Sequence, residues 1–448
     1  MTLRFGTDGV RGVANRELTP ELVTALGRAA VRVLGADEPY VVGRDTRRSG
    51  PMLEAALVAG ICAEGADVML TGVLPTPGVA AVAQLRGAPA AMITASHNPF
   101  PDNGVKLFAV GGRKLTDDVE QAIEHELHDL TTETPTGPEG RGVGVSSELR
   151  DALDTYVAHV VGACEGRRFE GMRVVVDCGN GASFRAAPRV LRELGVEVEV
   201  LHAAPDGSNI NAGCGSTDPS DLQRAVVSGG ADLGLAFDGD GDRLIAVDET
   251  GALVDGDQLI AIAAFDLQAR GRLRHDAVVV TKMSNGALHR VLRDAGIEVV
   301  EVEVGDRNVL DALAQRDLAL GGEQSGHIVY ADLSTTGDGI LAGVQLLDVL
   351  DGTGQKLSTL AGVVDRSPQV TRSVRVAHKE QLDADRAFWR TAQAVQSELG
   401  DAGRILVRPS GTESVVRVMV EAATEEAATA AADRLATAVE AACGAAAE

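Results

Sequence analysis

Residues 231–247 read ADLGLAFDGDGDRLIAV, an apolar run that ends in three alternating aspartates and then resumes. An apolar run of about four to eight residues bounded by turn residues is typical of a buried strand. Similar runs, Tyr40–Gly43, Ala90–Thr94 and Asp276–Thr281 among them, alternate with amphipathic stretches along most of the chain. This alternation predicts repeated β-α-β units with mixed, mainly parallel sheets.

The 448 residues are expected to form four domains. The β-α-β pattern restarts twice, which predicts three similar α/β domains at residues 1–150, 151–254 and 255–367. The remaining segment, residues 368–448, alternates Val and Arg before a helical stretch, two strands and an Ala-rich helix, so we expect a small α+β domain there. Residues 131–144 are rich in Thr, Pro and Gly and are expected to be an exposed linker.

Composition and charge exclude several classes of protein. The chain has 41 basic and 65 acidic residues, a formal charge of −24, and lacks the basic surface that nucleic acid or an anionic membrane requires. The five cysteines are scattered without a C-x-x-C pair, which argues against a disulfide framework and a structural zinc site. No run of 18 apolar residues occurs, and residues 1–11 lack the apolar core of a signal peptide. The expected compartment is therefore the cytoplasm.

Two familiar phosphate-binding loops are missing from the sequence. There is no Gly-Lys dipeptide and hence no Walker A loop, and the GDGILA stretch at residues 337–342 does not follow a strand as a dinucleotide fingerprint would. There is no G-x-S-x-G elbow either. Four other loops each follow a predicted strand, and open α/β sheets place their ligands at the carboxyl ends of strands.

The first of these loops, TASHNP at residues 94–99, is by itself equally compatible with a turn or a helix cap. Lys106 follows a few residues later, although lysine occurs only five times in the chain. An ammonium close to the hydroxyl of Ser96 can exchange a proton with it or neutralise a phosphate. The pair therefore favours a catalytic loop.

The second loop carries Asp238, Asp240 and Asp242 at alternate positions of a backbone that two glycines allow to curl. Three carboxylates suit a hard divalent cation such as Mg²⁺. A calcium EF-hand is disfavoured, because its sixth position requires Gly and is Arg243 here, and because strands flank the loop. A solvated acidic turn is the other alternative. Arg243 beside the acids favours a phosphate shared between metal and guanidinium.

The third loop, GGEQSGH at residues 321–327, is either a plain turn or a display of Glu323 and Ser325 towards sugar hydroxyls. The fourth loop, RPSGTE at residues 408–413, lies between two predicted strands. Its Arg, two hydroxyls and Gly can surround a phosphate with donors, and an ordinary hairpin loop is the alternative. Together the four loops offer a hydroxyl nucleophile, a metal site, a sugar contact and a phosphate anchor.

Taken in this order, TASHNP, DGDGDR, GEQSGH and RPSGTE resemble the signature loops of the α-D-phosphohexomutases. The opening FGTDGVRG at residues 5–12 and GVLPTP at residues 72–77 match as well, so the resemblance covers nearly the whole chain. Gln324 and the TTGDG stretch at residues 335–339 resemble the hexosamine-phosphate branch, whereas the phosphomannomutase/phosphoglucomutase branch commonly has Met in place of that Gln.

The resemblance implies three α/β domains and a small fourth domain around a central cleft, with a role for each loop. Ser96 would be phosphorylated and would bind one Mg²⁺ per subunit together with Asp238, Asp240 and Asp242. The implied catalytic positions are Ser96, His97, Arg11 and Lys106, with Lys106 as general acid/base. The implied substrate-binding positions are Arg243, Glu323, Ser325, His327, Arg408, Ser410, Gly411 and Thr412, the last four clamping the distal phosphate.

The implied activity interconverts glucosamine 6-phosphate and glucosamine 1-phosphate through a phosphoserine enzyme and a 1,6-bisphosphate, a step towards UDP-N-acetylglucosamine and the cell wall. Glucosamine or glucose 1,6-bisphosphate is the implied activator. Three alternatives remain at this point: the same chemistry on mannose or glucose phosphates, a sugar-phosphate binder without turnover, and a metal-dependent phosphatase. The oligomeric state is left open, with a homodimer as one option.

Overall fold

The computed structural model describes residues 9–130, 136–400, 403–410 and 414–444. Three α/β domains are followed by a small α+β domain, which confirms the predicted fold class. We propose the same domain boundaries as the sequence analysis, since each of the four sheets lies within one of the predicted ranges. Of the expected linker, residues 136–143 are exposed, and residues 131–135 lie outside the described residues.

The first domain contains a seven-stranded mixed sheet. Its strands are β1 (Val10–Val13), β2 (Tyr40–Arg44), β3 (Val68–Val73), β4 (Ala90–Ile93), β5 (Asp102–Ala109), β6 (Arg113–Lys114) and β7 (Ser146–Glu148), and its helices are α1 (Pro20–Leu34), α2 (Gly50–Ala63), α3 (Thr76–Arg86) and α4 (Asp117–Leu130). The order is β1-β5-β4-β2-β3-β7, with β6 on β5; β4, β2, β3 and β7 run parallel and β5 runs antiparallel to β4. The antiparallel β4–β5 pair brings Lys106 back opposite Met92, beside the loop that holds Ser96.

The second domain has a five-stranded sheet in the order β12-β11-β10-β8-β9. Its elements are β8 (Arg173–Asp177), β9 (Glu197–Leu201), β10 (Leu233–Phe237), β11 (Leu244–Asp248), β12 (Leu253–Val254), α5 (Ala152–Gly162), α6 (Ala186–Glu193) and α7 (Ser220–Gly229). Strands β8, β9 and β10 are parallel, and β11 returns antiparallel to β10. The DGDGDR loop is therefore the connection at the carboxyl end of a buried central strand.

The third domain has a four-stranded sheet in the order β14-β13-β15-β16. Its elements are β13 (Ala277–Thr281), β14 (Glu298–Val302), β15 (Leu320–Gly322), β16 (Ile328–Tyr330), α8 (Gly256–Ala269), α9 (Gly286–Asp294), α10 (Asp306–Arg316), α11 (Gly339–Thr353) and α12 (Leu357–Ala361). The GEQSGH loop connects β15 to the antiparallel β16. Asp338 caps α11 by accepting from the N–H of Leu341 at 2.9 Å, so the TTGDG stretch is a helix start.

The fourth domain is a three-stranded antiparallel sheet covered on one face by two long helices. Its elements are β17 (Gln369–Arg375), β18 (Arg404–Pro409), β19 (Val415–Glu421), α13 (Arg386–Leu399) and α14 (Glu425–Cys443). Valines at alternate positions of β19, such as Val416 and Val418, pack on the helices, while Arg417 and Met419 face the other way.

The hydrophobic cores show how the domains are joined. One continuous cluster of buried side chains extends through the first three domains and includes Val41, Val174 and Val278. The fourth domain has its own cluster around Phe388 and Leu435. The first three domains therefore share apolar packing. Polar contacts also join the third and fourth domains, such as the one from the N–H of Gly286 to Glu421 Oε2 at 3.1 Å. Within the described part of the chain, no helix combines the length and the apolarity needed to cross a bilayer.

Candidate active site

Ser96 lies in the loop that follows β4 and meets the second domain through its side chain. It is 1% exposed, and its hydroxyl donates to Oδ2 of Asp238 at 2.6 Å. Nδ1 of His97 lies 3.2 Å from Oγ of Ser96. The structure thus joins the predicted nucleophile and the predicted metal loop, which come from two different sheets.

The three aspartates of the second loop form one buried cluster. Asp238 and Asp240 are 0% exposed and Asp242 is 4% exposed, and one carboxylate oxygen from each lies within 4.8 Å of the others. Oδ1 of Asp240 and Oδ1 of Asp242 are buried without a hydrogen-bond partner. Burying unpaired carboxylate oxygens is costly, and an all-oxygen set of this kind fits a hard divalent cation.

The pKa values of Asp238 and Asp242 are shifted in opposite directions. Burial, and then the neighbouring charges of Asp242 and Asp240, raise the pKa of Asp238 well above its usual range. Burial also works against ionisation of Asp242, but the ammonium of Lys106 and the imidazole of His327 hold its pKa well below the usual range. Nζ of Lys106 donates to Asp240 Oδ2 at 2.9 Å and to Asp242 Oδ2 at 3.1 Å.

The positively charged side chains predicted for this site lie close to the same cluster. Burial, followed by the charges of Arg243 and Arg11, lowers the pKa of His97 to about 4. Nε of Arg243 is 3.9 Å from Asp242 Oδ1. The imidazole of His97 is therefore neutral near pH 7, in surroundings that favour an anion.

A second group of metal-ligating side chains differs from the aspartate cluster. Nδ1 of His202 lies 2.9 Å from Asp177 Oδ2, and Nε2 lies 3.2 Å from Asp221 Oδ2. The thiol sulfur of Cys214 accepts from Nδ2 of Asn180 at 3.8 Å. Each of these groups already has a protein partner, so the arrangement is that of a structural hydrogen-bond network.

The GEQSGH loop is held in shape by the carboxylate of its own Glu323. Glu323 accepts from the N–H of Gly305 at 3.0 Å and from the hydroxyl of Ser325 at 3.2 Å. His327 is 2% exposed, and its Nδ1 is 3.8 Å from Asp242 Oδ2, so this residue lies against the metal loop. Glu323 and Ser325 line a polar turn between β15 and β16, and their sugar contacts stay predictions.

The fourth loop lies at the end of the sheet of the fourth domain. Arg408 and Arg417 are cross-strand partners and line a cavity of about 200 Å³. Burial and then the charge of Arg417 lower the pKa of Arg408, while the carboxylate of Glu323 opposes that shift. Ser410 is 6% exposed, and its carbonyl oxygen accepts from Nζ of Lys379 at 2.5 Å. Gly411 and Thr412 lie outside the described residues, and the clamp stays a prediction.

Several residues of the site were missed by sequence reasoning. Thr76, in the quoted GVLPTP stretch, donates to Asp240 Oδ2 at 2.6 Å. Arg47 is 1% exposed and pairs with Asp45 at 2.8 Å, and Oδ2 of Asp45 also accepts from the hydroxyl of Thr94 at 2.7 Å. A signal was present in the sequence, because residues 45–47 read DTR directly after β2, at the same sheet edge as the serine loop.

Comparison with known families covers most of the chain. Residues 2–134, 154–251 and 255–366 match the α/β/α domains I, II and III of phosphoglucomutase/phosphomannomutase, and residues 373–438 match the C-terminal domain of the same family.

Curated relatives and solved structures agree with these matches. The chain is 52% identical over 428 residues to the phosphoglucosamine mutase of Desulforudis audaxviator, with 94% of each chain covered. It is 52% identical over 448 residues to that of Mycolicibacterium gilvum, covering 98% of this chain and 100% of the relative. A phosphoglucomutase/phosphomannomutase family protein from Burkholderia thailandensis has a TM-score of 0.81 at 29% identity, covering 99% and 98% of the two chains. The N-acetylphosphoglucosamine mutase of Aspergillus fumigatus, solved with GlcNAc-6P and magnesium, has the same fold, with a TM-score of 0.69 at 19% identity, covering 99% and 96%.

Proposed function

The chain belongs to the α-D-phosphohexomutases, the phosphoglucomutase/phosphomannomutase family, and on this premise we propose that it interconverts glucosamine 6-phosphate and glucosamine 1-phosphate. The enzyme is an isomerase of the phosphoglucosamine mutase type. The observation that carries the proposal is the 2.6 Å contact between Ser96 Oγ and Asp238 Oδ2 in a chain that is about half identical, over nearly its whole length, to phosphoglucosamine mutases.

The proposed reaction starts from a phosphoryl group on Ser96. The 1-hydroxyl oxygen of glucosamine 6-phosphate forms a bond to that phosphorus, the bond from phosphorus to Ser96 Oγ breaks, and glucosamine 1,6-bisphosphate results. The hydroxyl gives up a proton, the serine oxygen takes one, and we assign this exchange to Lys106. Phosphoryl transfer depends mostly on positioning and on stabilising charge, which suits a site where Arg11, Arg243 and Lys106 converge.

The second half of the proposed reaction needs the intermediate to turn around. Ser96 Oγ then forms a bond to the phosphorus at the 6-position and gives up its proton, the bond from that phosphorus to O6 breaks, O6 takes up a proton, and glucosamine 1-phosphate leaves. The phosphate that is not reacting must be held in both orientations. We assign this role to Arg408 and Ser410, together with the neighbouring Gly411 and Thr412, since binding of a remote group contributes to positioning at the reacting centre. We assign the sugar hydroxyls to Glu323 and Ser325, with His327 between that loop and Asp242.

We propose Mg²⁺ as the metal and Asp238, Asp240 and Asp242, together with the Ser96 phosphate, as its ligands. When bound, the cation supplies positive charge that stabilises the phosphoryl group and offsets the repulsion of the three carboxylates. The two unpartnered carboxylate oxygens support this assignment. The protein's own side chains fix the carboxylates. Thr76 and Lys106 donate to Oδ2 of Asp240, and Lys106 also donates to Oδ2 of Asp242. The hydroxyl of Ser96 donates to Asp238.

The alternatives are less well supported by the geometry. A non-catalytic sugar-phosphate binder has no use for a serine hydroxyl buried against a carboxylate. A phosphatase would release inorganic phosphate, and the site holds Ser96 at 1% exposure, away from bulk water. We further propose the cytoplasm as the compartment, which suits the five unpaired cysteines, and glucose or glucosamine 1,6-bisphosphate as the compound that loads Ser96.

The substrate proposal is tested by comparing kcat/KM for glucosamine, glucose and mannose 6-phosphates with one purified preparation. We expect glucosamine 6-phosphate to be preferred by at least tenfold. A preference for mannose or glucose 6-phosphate would overturn the hexosamine assignment and leave the phosphoserine chemistry intact. A colorimetric assay in the same reactions measures the inorganic phosphate released. Inorganic phosphate as the main product would favour the phosphatase instead.

A further inference from the structure

The backbone of Ser96 is held in a conformation that its side chain disfavours. Its φ is +51°, in the left-handed region that residues with a Cβ atom seldom adopt. A non-glycine residue keeps this conformation only where surrounding contacts impose it. One of these contacts is local, because the N–H of Ser96 donates to Oγ1 of Thr94 at 2.9 Å.

The remaining contacts come from two side chains that share the same two carbonyl groups. Nη2 of Arg47 donates to the carbonyl oxygens of Ser96 and Asn98 at 2.9 and 2.8 Å. Nδ2 of Asn211 donates to the same oxygens at 2.9 and 3.3 Å. Nη1 of Arg47 also donates to the carbonyl oxygens of Pro99 and Asp102, so this guanidinium fixes the shape of the whole loop.

These two donors act from different domains. Arg47 follows β2 in the first domain and therefore fixes the loop relative to its own sheet. Asn211 belongs to the second domain, where its N–H donates to the carbonyl oxygen of Gly179 at 2.9 Å. Since Asp238 also belongs to the second domain, Asn211 links the serine loop to the domain that carries the hydroxyl's acceptor.

The aspartate loop lies directly against this contact. A Cβ atom on Gly239 would be 2.6 Å from the carbonyl oxygen of Ser96 and 2.8 Å from Nδ2 of Asn211. The serine loop, the aspartate loop and Asn211 therefore meet at one point with no room for an added methyl group. A small displacement of Asn211 would change how Ser96 faces Asp238.

We propose that Asn211 is a positioning residue that aligns the Ser96 hydroxyl with the aspartate cluster across the interface between the first two domains. This inference rests on the proposed function and adds a residue to it. Among the described residues, the side chain of Asn211 touches the backbone of the serine loop and none of the groups assigned to the sugar or to the distal phosphate. Its loss should therefore lower kcat and leave KM unchanged.

The variant Asn211→Asp tests the proposal. Asn211 has a φ of +56°, and Asp is one of the few residues that tolerate this conformation, so the exchange keeps shape and backbone and replaces the donor with a carboxylate oxygen. That oxygen repels the two carbonyl groups. We expect kcat to fall at least tenfold, KM for glucosamine 6-phosphate to stay within twofold, and phosphorylation of Ser96 by glucose 1,6-bisphosphate, followed by intact mass, to slow by a similar factor.

The matched control is Asn209→Asp in the same loop. The side chain of Asn209 donates to the carbonyl oxygen of Ala204 and accepts from the N–H of Asp206, so it supports the loop without touching Ser96. The control should keep kcat within twofold. Equal losses of kcat in both variants, or a rise in KM for Asn211→Asp, would mean that Asn211 only supports its loop, and either result would overturn the proposal. An unchanged kcat for Asn211→Asp would overturn it as well.

Two further measurements keep the outcome decisive. If Asn211→Asp does not fold, as judged by its melting temperature, Asn211→Ala removes the donor without adding charge and must show the same loss of kcat. Wild-type protein is assayed in parallel. Wild type without mutase turnover would overturn the proposed function, whereas active wild type with an unimpaired, folded Asn211 variant would overturn this inference alone.

Discussion

The hydroxyl of Ser96 donates to Oδ2 of Asp238 at 2.6 Å, although 142 positions separate the two residues in sequence. They meet because β4 and β10 are both buried strands, each followed by a short loop and an antiparallel return strand, and the two loops contact each other. The proposed nucleophile and three buried carboxylates beside Lys106 form a site that can hold a phosphoryl group only if positive charge is also present.

Magnesium is expected to stabilise the folded protein as well as to support activity. Treatment with EDTA should abolish turnover, and Mg²⁺ should restore it. Binding to the folded state at 100 times Kd adds about 2.7 kcal/mol to the free energy of unfolding, which scanning calorimetry would record as a rise in melting temperature. Asp238→Asn should raise the melting temperature of the metal-free protein, because the burial and repulsion that raise the pKa of Asp238 disfavour its charge.

The same variant should lose most of the shift that Mg²⁺ causes. The exposed Asp294 at the end of α9 provides a control, since Asp294→Asn should leave the Mg²⁺ shift intact. A wild-type melting temperature that does not change when Mg²⁺ is added would count against the metal assignment.

Replacement of Gly239 by Ala should impair the enzyme through a collision with fixed atoms. The new Cβ atom would be 2.6 Å from the carbonyl oxygen of Ser96, a backbone atom that cannot move without the loop. We expect kcat to fall at least tenfold, since misplacement by about 1 Å costs about a hundredfold. Gly162→Ala is the control, because a Cβ atom there has no neighbour within 4 Å and should leave kcat unchanged. Similar activity of the two variants would mean that the loops are not held as closely as the structure has them.

Asp257 should make stability depend on pH. Burial, and then the charge of Asp255, raise its pKa from 3.8 to about 7, while Arg366 and donors from Asn285 and Ser284 oppose the shift. Between about pH 4 and pH 7 the folded state therefore holds a proton that the unfolded state has lost. This contribution is fully present below pH 4 and is lost as the pH rises through 7.

Asp257→Asn removes that dependence. The difference between the free energies of unfolding of the variant and of wild type should therefore rise by up to about 1.4 kcal/mol for each unit by which the pH increases in this window. Urea denaturation at pH 5, 6, 7 and 8 measures the difference. The exposed Asp311 on α10 gives the comparison, because the difference between Asp311→Asn and wild type should stay constant over the same range. A constant difference for Asp257→Asn as well would show that Asp257 is ionised throughout.

The sequence predicts the four domains and the loops at strand ends because periodicity and motif spacing are local properties. The pairing of Ser96 with Asp238 followed from two motifs and a resemblance. The roles of Arg47 and Asn211 could not be predicted, because both act on backbone carbonyl groups of a loop far away in sequence. Arg417 was missed for a similar reason, since its position opposite Arg408 depends on the register of β18 and β19.

The central claim is that Ser96 carries the phosphoryl group in transit. Protein labelled with ³²P at Ser96 and mixed with unlabelled glucosamine 6-phosphate should pass the label to the sugar phosphates within one turnover. Peptide mass spectrometry should find the phosphate on Ser96 alone, and Ser96→Ala should lower kcat by about a thousandfold or more, the scale on which loss of a covalent nucleophile acts. Label that stays on the protein during turnover, or a Ser96→Ala variant as active as wild type, would contradict the account.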